Sequence, residues 1–206
     1  MWEVEEFDRR AGLIKSATRT DERKTMRVYH FLSAEHGLDD LWKRRLKVST
    51  FDKINDPFEL NAIQFQLSRD QYLFQSLKEN YLSKIGMICF SKCYDNPVQW
   101  SHYADRHRGI CLGFDIEYNE ENDVNYVNHR AMIENFFARS FADQEKTIYK
   151  ILTTKFEHWK YEKEHRVFMN LSEIMLENGF YFRTFDENIL LREVLIGPKS
   201  EKKYRR

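Results

Sequence analysis

The chain has 206 residues, which is enough for one substantial hydrophobic core and too few for two comfortable ones. Lysine plus arginine equals aspartate plus glutamate at 33 each, so the net charge is zero, which argues against general electrostatic capture of nucleic acid. No apolar run reaches the roughly 18 residues of a membrane span. The N-terminus also lacks the apolar stretch of a signal peptide.

The cysteines indicate a reducing compartment. There are three of them, and an odd number in a chain of this size fits a cytoplasmic protein better than a secreted one. Cys89 and Cys93 have no second cysteine pair and no paired histidines to complete a zinc site. Cys89 and Cys111 are therefore predicted to be small core residues of buried strands.

In chain order, residues 1–25 form a polar lead-in, and residues 26–206 form a single domain of catalytic type. Short runs of strand-forming residues predict strands over 27–31, 46–50, 86–92, 109–115, 123–128, 163–170, 179–185 and 191–198. Helical periodicity predicts helices from Ser33, over 69–84, from Asn96–Pro97 and over 142–157. Strands and helices mix without a strict alternation, so the predicted class is α+β.

Three of these segments carry more specific predictions. In the first helix, Leu38, Leu41 and Trp42 fall on one apolar face. In the second, Tyr72, Leu73 and Leu77 do the same, together with Tyr81 or Leu82. Between the two helices, residues 55–59 (NDPFE) have the chemistry of a turn.

No local motif identifies a phosphate-binding loop, a nucleophile elbow or a zinc protease helix. The remaining candidates are scattered. His30 stands in the middle of a predicted strand, where an imidazole is either a hydrogen-bonded core residue or a polar group at a cleft.

The segment 96–115 (NPVQWSHYADRHRGICLGFD) concentrates aromatic and imidazole rings before a predicted strand. On a helix, Trp100, Tyr103, Ala104 and His107 share one face, and His102 and Arg106 share another. The first face suits either core packing or a platform on which a flat ligand stacks.

Two groups of acidic residues suggest carboxylate chemistry. Glu162, Glu164 and Arg166 fall on one side if 159–166 is extended, which fits an ion pair or two carboxylates with shifted pKa values. Glu193 is the sole acid at the head of the predicted apolar strand 191–198, where it is either an exposed residue at the strand start or a carboxylate at a sheet edge over a cleft.

Several segments together resemble an uncharacterised bacterial family of the domain-of-unknown-function kind. The matching stretches lie between residues 28 and 198: VYHF, RRLKVSTFDKINDPFE, GMICFSK, NPVQWSHYADRHRGICLGFD, W-x-YE-x-E-x-R and EVLIGP. This resemblance implies no activity.

The order of elements also resembles the catalytic domain of ADP-ribosyltransferases of the poly(ADP-ribose) polymerase and diphtheria-toxin type. That resemblance implies a split, twisted mixed sheet flanked by helices, with NAD as the substrate. It assigns His30 to a ribose of NAD, Tyr103 to stacking on nicotinamide, and Glu193 to the nicotinamide ribose, with Glu164 as second choice. The sequence departs from the pattern at Cys89, where that fold carries a second stacking tyrosine.

Further roles follow from the same resemblance. It implies that Trp100 supplies the missing ring, that Ser91 holds ribose or amide, and that Arg108 pairs with the pyrophosphate. The expected function is transfer of ADP-ribose from NAD to an unknown protein or nucleic-acid acceptor, as in a bacterial toxin or defence effector that a regulatory partner could silence.

Two alternatives remain open. The first is a metal-dependent nuclease that uses His102, His107, Glu162 and Glu164. The second is a non-catalytic ligand-binding or partner-binding domain in which the polar residues are structural.

Overall fold

The structure is a computed structural model that describes residues 4–7, 14–17, 24–51 and 63–200. Its helices are α1 Ala34–Lys43, α2 Ser68–Leu82, α3 Pro97–Tyr103 and α4 Phe141–Leu152. Its strands are β1 Val4–Phe7, β2 Ile14–Ala17, β3 Thr25–Leu32, β4 Arg45–Thr50, β5 Ile63–Phe65, β6 Ile85–Ser91, β7 Ile110–Glu117, β8 Asn125–Val127, β9 Ala131–Ile133, β10 Thr154–Phe156, β11 Glu164–Asn170, β12 Met175–Glu177, β13 Phe180–Thr184 and β14 Ile189–Ile196. None of the helices in these ranges is long and apolar enough to cross a bilayer.

The chain folds as a single α+β domain around an eight-stranded sheet, which confirms the predicted class. The strand order is β12-β13-β4-β6-β3-β7-β14, with β11 on β6. All pairs in this sheet are antiparallel, so the prediction of a mixed sheet is wrong. Parallel pairing occurs only in two small sheets of the described residues, β10–β8 and β5–β9.

The sheet splits at one edge of β6, where this strand pairs with β4 at its start and with β3 at its end. The other edge of this strand pairs with β11 over its whole length. On the divided edge, Met87 pairs with Ser49 of β4, whereas Ser91 pairs with Tyr29 of β3. Cys89 lies between them, at the point where β6 changes partner.

The two faces of the sheet carry separate cores, because successive side chains of a strand point to opposite sides. The first face carries Val28, Ile88, Phe90, Leu112 and Phe114, and α1 covers part of it. The second face packs against α2, α3 and α4. The buried residues of this layer include Tyr29, Met87 and Cys111 from the strands, Trp100 of α3 with Ala104 just after it, and Ile148, Ile151 and Leu152 from α4.

Two predicted helix faces are wrong in part: Leu41 of α1 packs against the core as predicted, but two aromatic residues assigned to the apolar faces lie on the surface. Trp42 is 89% exposed, and Tyr72 is 74% exposed. In α2 Phe74 and Leu82 are buried, at 2% and 7% exposure, so the apolar face is displaced from the predicted one in the first half of the helix. The start of α1 is as predicted, since the Ser33 hydroxyl accepts a hydrogen bond from the His36 amide at 3.2 Å. The predicted turn at 55–59 lies outside the described residues.

Candidate active site

Helix α3 carries the aromatic residues of the segment 96–115 on the second face. The Asn96 side chain caps its first turn by accepting from the Val98 amide at 2.9 Å, and Pro97 occupies the first position. The helix ends at Tyr103, because residues 105–107 adopt positive φ angles of 43°, 53° and 71°. His107 therefore leaves the helix, and its predicted place on one face with Trp100 and Tyr103 is wrong.

Gln99 fixes α3 to the short 3₁₀ helix Glu157–Glu162. Its amide nitrogen donates to the Glu162 carbonyl at 2.7 Å and to the Ser91 hydroxyl at 3.1 Å. Ser91 in turn donates to the same carbonyl at 2.7 Å, so its hydroxyl is engaged within the protein. The Gln99 Oε1 atom is buried and has no hydrogen-bond partner in the described part of the chain, so this acceptor is unsatisfied.

Below α3 lies a compact group of ionisable side chains, hereafter the acid–base cluster: Tyr103, Lys155, Glu162, Glu164 and Arg166. The Tyr103 hydroxyl donates to Glu162 Oε1 at 2.5 Å. The Lys155 ammonium bridges the two carboxylates, at 2.6 Å from Glu162 Oε2 and 3.1 Å from Glu164 Oε2. Arg166 forms a fork on Glu164, with Nε at 2.9 Å from Oε1 and Nη2 at 3.2 Å from Oε2.

The sequence places these groups together by two routes. Glu164 and Arg166 are two apart on β11, so both point to the second face. Glu162 ends the 3₁₀ helix, and Lys163 turns the chain with a φ of 45°. The prediction that 159–166 is extended is therefore wrong for Glu162, which reaches Glu164 through Lys155 instead.

Glu164 is ionised and tightly held. Burial by itself raises the pKa of this carboxyl, but Arg166 and Lys155 outweigh burial and bring the pKa down to about 2. Its oxygens are occupied by these two cations, so Glu164 orients the cluster and has no free oxygen for a substrate.

The pKa of Glu162 is shifted in the opposite direction to that of Glu164. Burial raises the pKa of Glu162, and the hydrogen bonds from Lys155 and Tyr103 offset this only in part. Two neighbouring carboxyls whose pKa values are driven apart are typical of an acid–base site. Glu162 is the member of the pair suited to exchange a proton.

Tyr103 connects Glu162 with the solvent. Glu162 is 5% exposed, whereas Tyr103 is 39% exposed. Burial, followed by the charge of Glu162, raises the pKa of the Tyr103 phenol, so the hydroxyl keeps its proton and donates a hydrogen bond to the carboxylate. The hydroxyl of an exposed ring is thus hydrogen-bonded to the buried Glu162 carboxyl.

Glu193 lies elsewhere on the second face, inside β14. Its carboxylate accepts from Arg27 Nη1 at 2.6 Å and from the Tyr29 hydroxyl at 3.3 Å. Because β14 starts at Ile189, Glu193 lies inside the strand, and the prediction that it stands at the head of the strand is wrong. Gly113 of β7 makes room for it, since a Cβ there would lie 2.5 Å from Glu193 Cγ. Glu193 and Glu164 occupy the two ends of one row across the sheet, Glu193–Gly113–Tyr29–Ser91–Glu164.

His30 does not join either glutamate. It neighbours Tyr29 on β3 and so points to the first face, where its ring lies 5.8 Å from that of Phe90. Its Nδ1 bonds the Cys89 carbonyl at 2.9 Å, which would have no strand partner at the division of the sheet. Burial lowers the pKa of His30, so the imidazole stays neutral. The predicted convergence of His30 with Tyr103 and a glutamate in one pocket is wrong.

Trp100 and Arg108 are also engaged within the protein. Trp100 is 9% exposed, packs edge-on against Phe31 and donates its indole N–H to the Tyr94 carbonyl at 2.6 Å. Arg108 is on the surface and pairs with Asp105 at 2.9 Å. Trp100 is thus a core residue of α3, and of the two rings predicted to stack on nicotinamide, Tyr103 is the exposed one.

The side chains of the nuclease alternative do not assemble. His102 is exposed, and His107 follows it in the left-handed segment. Within the described ranges, no three histidine, cysteine, aspartate or glutamate side chains are grouped to hold a metal. The position between Glu162 and Glu164 is taken by the Lys155 ammonium.

Three residues of the site were not predicted from the sequence. Lys155 lies on β10, Gln99 on α3 and Tyr126 on β8, where its hydroxyl accepts from the Glu164 amide at 2.8 Å. Only Gln99 had a local signal, since a polar residue on the buried side of an apolar helix needs a partner. Lys155 and Tyr126 meet Glu164 through the small β10–β8 sheet, which no sequence spacing indicates.

Residues 99–167 match the family described as "Protein of unknown function (DUF2971)". The match confirms the predicted resemblance to a domain-of-unknown-function family over these residues. The matched segment begins at Gln99 and contains all five residues of the acid–base cluster. No curated protein and no solved structure matches the chain. Nothing in these comparisons bears on the resemblance to ADP-ribosyltransferases, which stays a prediction.

Proposed function

We propose that the acid–base cluster is the active site of an enzyme that transfers the ADP-ribosyl group of NAD, with Glu162 as the reacting carboxylate. The observation that carries the proposal is a buried carboxyl bonded at 2.5 Å by the hydroxyl of a ring that is 39% exposed, with the Lys155 ammonium at 2.6 Å from its other oxygen to favour the ionised form. The order of elements, which resembles that of ADP-ribosyltransferases, supplies the substrate class.

In this reaction nicotinamide leaves with the electrons of its bond to ribose, and the ribose carbon becomes cation-like. A nucleophile of the acceptor, either water or a group of a protein or nucleic acid, then bonds that carbon and gives up its proton. A carboxylate that accepts a hydrogen bond from a ribose hydroxyl stabilises that developing charge. The ribose hydroxyl would replace the Tyr103 hydroxyl on Glu162 Oε1, and the Tyr103 ring would stack on the nicotinamide. Lys155 would hold the other carboxylate oxygen in place.

Gln99 supports a ligand with N–H groups at this position. Its buried Oε1 has no partner in the described part of the chain, and leaving such an acceptor unpaired costs roughly 1–3 kcal/mol. The carboxamide of nicotinamide offers the complementary donor. This replaces the earlier assignments of Ser91, Trp100 and Arg108, whose polar groups are engaged within the protein.

The test is release of nicotinamide from NAD by the full chain, followed by chromatography. Glu162→Gln keeps the size of the side chain and should lower the rate at least about 100-fold. Glu193→Gln is the matched control, because Glu193 is on the same face of the sheet and is the alternative catalytic glutamate. It should leave the rate within a few-fold of wild type.

The outcomes separate the assignments. A rate lost in Glu193→Gln and kept in Glu162→Gln would return the catalytic role to Glu193. Thermal melts must show that both variants are folded at the assay temperature for either comparison to count. If wild type neither releases nicotinamide nor melts at a higher temperature with NAD, the ADP-ribosyl proposal is wrong.

A non-catalytic binding domain is the second candidate, and one observation favours it. Both carboxylates of the cluster are paired with Lys155, so the network could serve only to fix β11, β10 and α3 together. Under that alternative, Glu162→Gln would lower the melting temperature, and neither the variant nor wild type would release nicotinamide from NAD.

A further inference from the structure

Strand β14 is an outer strand of the eight-stranded sheet. It pairs with β7 along one edge, and no strand of the described ranges pairs with its other edge. An outer strand presents unpaired backbone N–H and C=O groups, which natural proteins usually shield. Three apolar side chains of β14 are also on the surface, with Leu190 at 37%, Val194 at 43% and Ile196 at 40% exposure.

The sequence of β14, ILLREVLI, is self-complementary about a point between Arg192 and Glu193. A second copy of the strand, antiparallel and centred there, sets Arg192 of each copy opposite Glu193 of the other. At all the remaining positions an apolar residue is opposite an apolar residue: Ile189 is opposite Ile196, Leu190 is opposite Leu195, and Leu191 is opposite Val194.

A regular strand could not pair in this way. Leu191 and Val194 are three positions apart, so in an unbroken strand they would point to opposite faces. The register of β14 shifts between Leu191 and Glu193, and this extra residue changes the alternation. Leu191 lies opposite Phe114 and Val194 opposite Leu112, which places both on the first face.

The remaining residues obey the same symmetry. Leu190 and Leu195 lie opposite Asp115 and Cys111, which share the second face. Arg192 bonds Asp115 at 2.7 Å, so it points to that face together with Glu193. The bulge therefore matches both charge and face across the symmetry axis.

We infer that β14 is the interface of a symmetric dimer, in which two copies of this chain pair β14 with β14 and the two sheets become one. The pairing satisfies the open edge of each copy. It also covers the exposed apolar residues and adds an Arg192–Glu193 contact on each side of the axis. This inference does not depend on the proposed enzymatic function.

Sedimentation of the full chain over a range of micromolar concentrations gives the first test. Wild type should be a dimer. Val194→Lys sets an ammonium opposite Leu191 of the other copy and should raise the dimer dissociation constant at least about tenfold. Val98→Lys, on α3, is the matched control at a similarly exposed valine, 40% against 43%, and should remain dimeric.

Cross-linking tests the register independently of stability. An equimolar mixture of Leu190→Cys and Leu195→Cys chains should form an intermolecular disulfide on oxidation, because the two positions face each other in the dimer. Neither variant alone should do so, nor should wild type with its native cysteines. A mixture of Leu190→Cys with Ile196→Cys, one position out of register and on the other face, should also fail. A monomeric wild type, or a dimer that survives Val194→Lys without the 190–195 cross-link, would overturn the inference and leave the edge to a different partner.

Discussion

The clearest quantitative consequence of the acid–base cluster concerns Glu164→Gln. Glu164 has a folded-state pKa of about 2 against an ordinary value of 4.5, and a pKa difference of about 2.5 corresponds to about 3 kcal/mol at roughly 1.36 kcal/mol for each unit. Removing the charge also leaves Arg166, at 1% exposure, without its counter-ion. The free energy of unfolding at pH 7 should therefore fall by about 3 kcal/mol.

The pH dependence of this effect has a definite sign. A carboxyl whose pKa is lowered by folding stabilises the protein above its unfolded pKa, and this contribution is lost as the pH falls toward the folded pKa. Wild type should lose the Glu164 contribution between pH 4.5 and about 2, and the variant has none to lose. The difference between the two proteins should accordingly narrow over that window.

Urea denaturation at a series of pH values measures both quantities. Glu173→Gln, at an exposed glutamate, controls for the loss of a charge alone and should be close to wild type. The reasoning fails if Glu164→Gln costs less than about 1 kcal/mol at pH 7. It also fails if wild type and variant lose stability in parallel below pH 4.5.

Two further predictions test the division of the sheet and the row across it. His30→Phe should lower the free energy of unfolding, measured by urea denaturation, by about 1–3 kcal/mol because the Cys89 carbonyl loses its donor. His30→Gln, which can still donate, should lower it less. An equal loss in the two variants would mean that only packing matters at this position. Gly113→Ala should lower the melting temperature, because overpacking against Glu193 lowers the free energy of unfolding by about 1–3 kcal/mol. Adding Glu193→Ala to this variant should recover part of the lost stability. Strictly additive effects would show that the two side chains do not collide.

The sequence predicted the existence and type of the long elements more reliably than their buried faces. The strands at β3, β4, β6, β7 and β11 lie where apolar, branched and aromatic residues are concentrated. The faces of α1 and α2 were misjudged because both helices mix aromatic residues into their polar sides. Trp42 and Tyr72 are large and apolar, yet they remain on the surface.

The candidate site shows the same division. Local patterns identified Tyr103, Glu162 and Glu164 as candidates for chemistry, but they could not indicate that Lys155 joins them. That contact depends on the pairing of β10 with β8, which connects residues nearly thirty positions apart. Periodicity along a strand reports only which side a residue faces, and it contains no information about which strand lies beside it.

By itself, the sequence determined the α+β class, the helix starts at Ser33 and Asn96, and the alternation that sends Glu164 and Arg166 to one side of β11. These properties follow from backbone sterics, capping and side-chain spacing within a few residues. Only the tertiary structure decided that His30 points away from the glutamates, that β6 changes partner at Cys89 and that one lysine holds two carboxylates. Each of these depends on which distant strands pair, a choice made by the burial of the whole apolar surface and not by any local stretch of the chain.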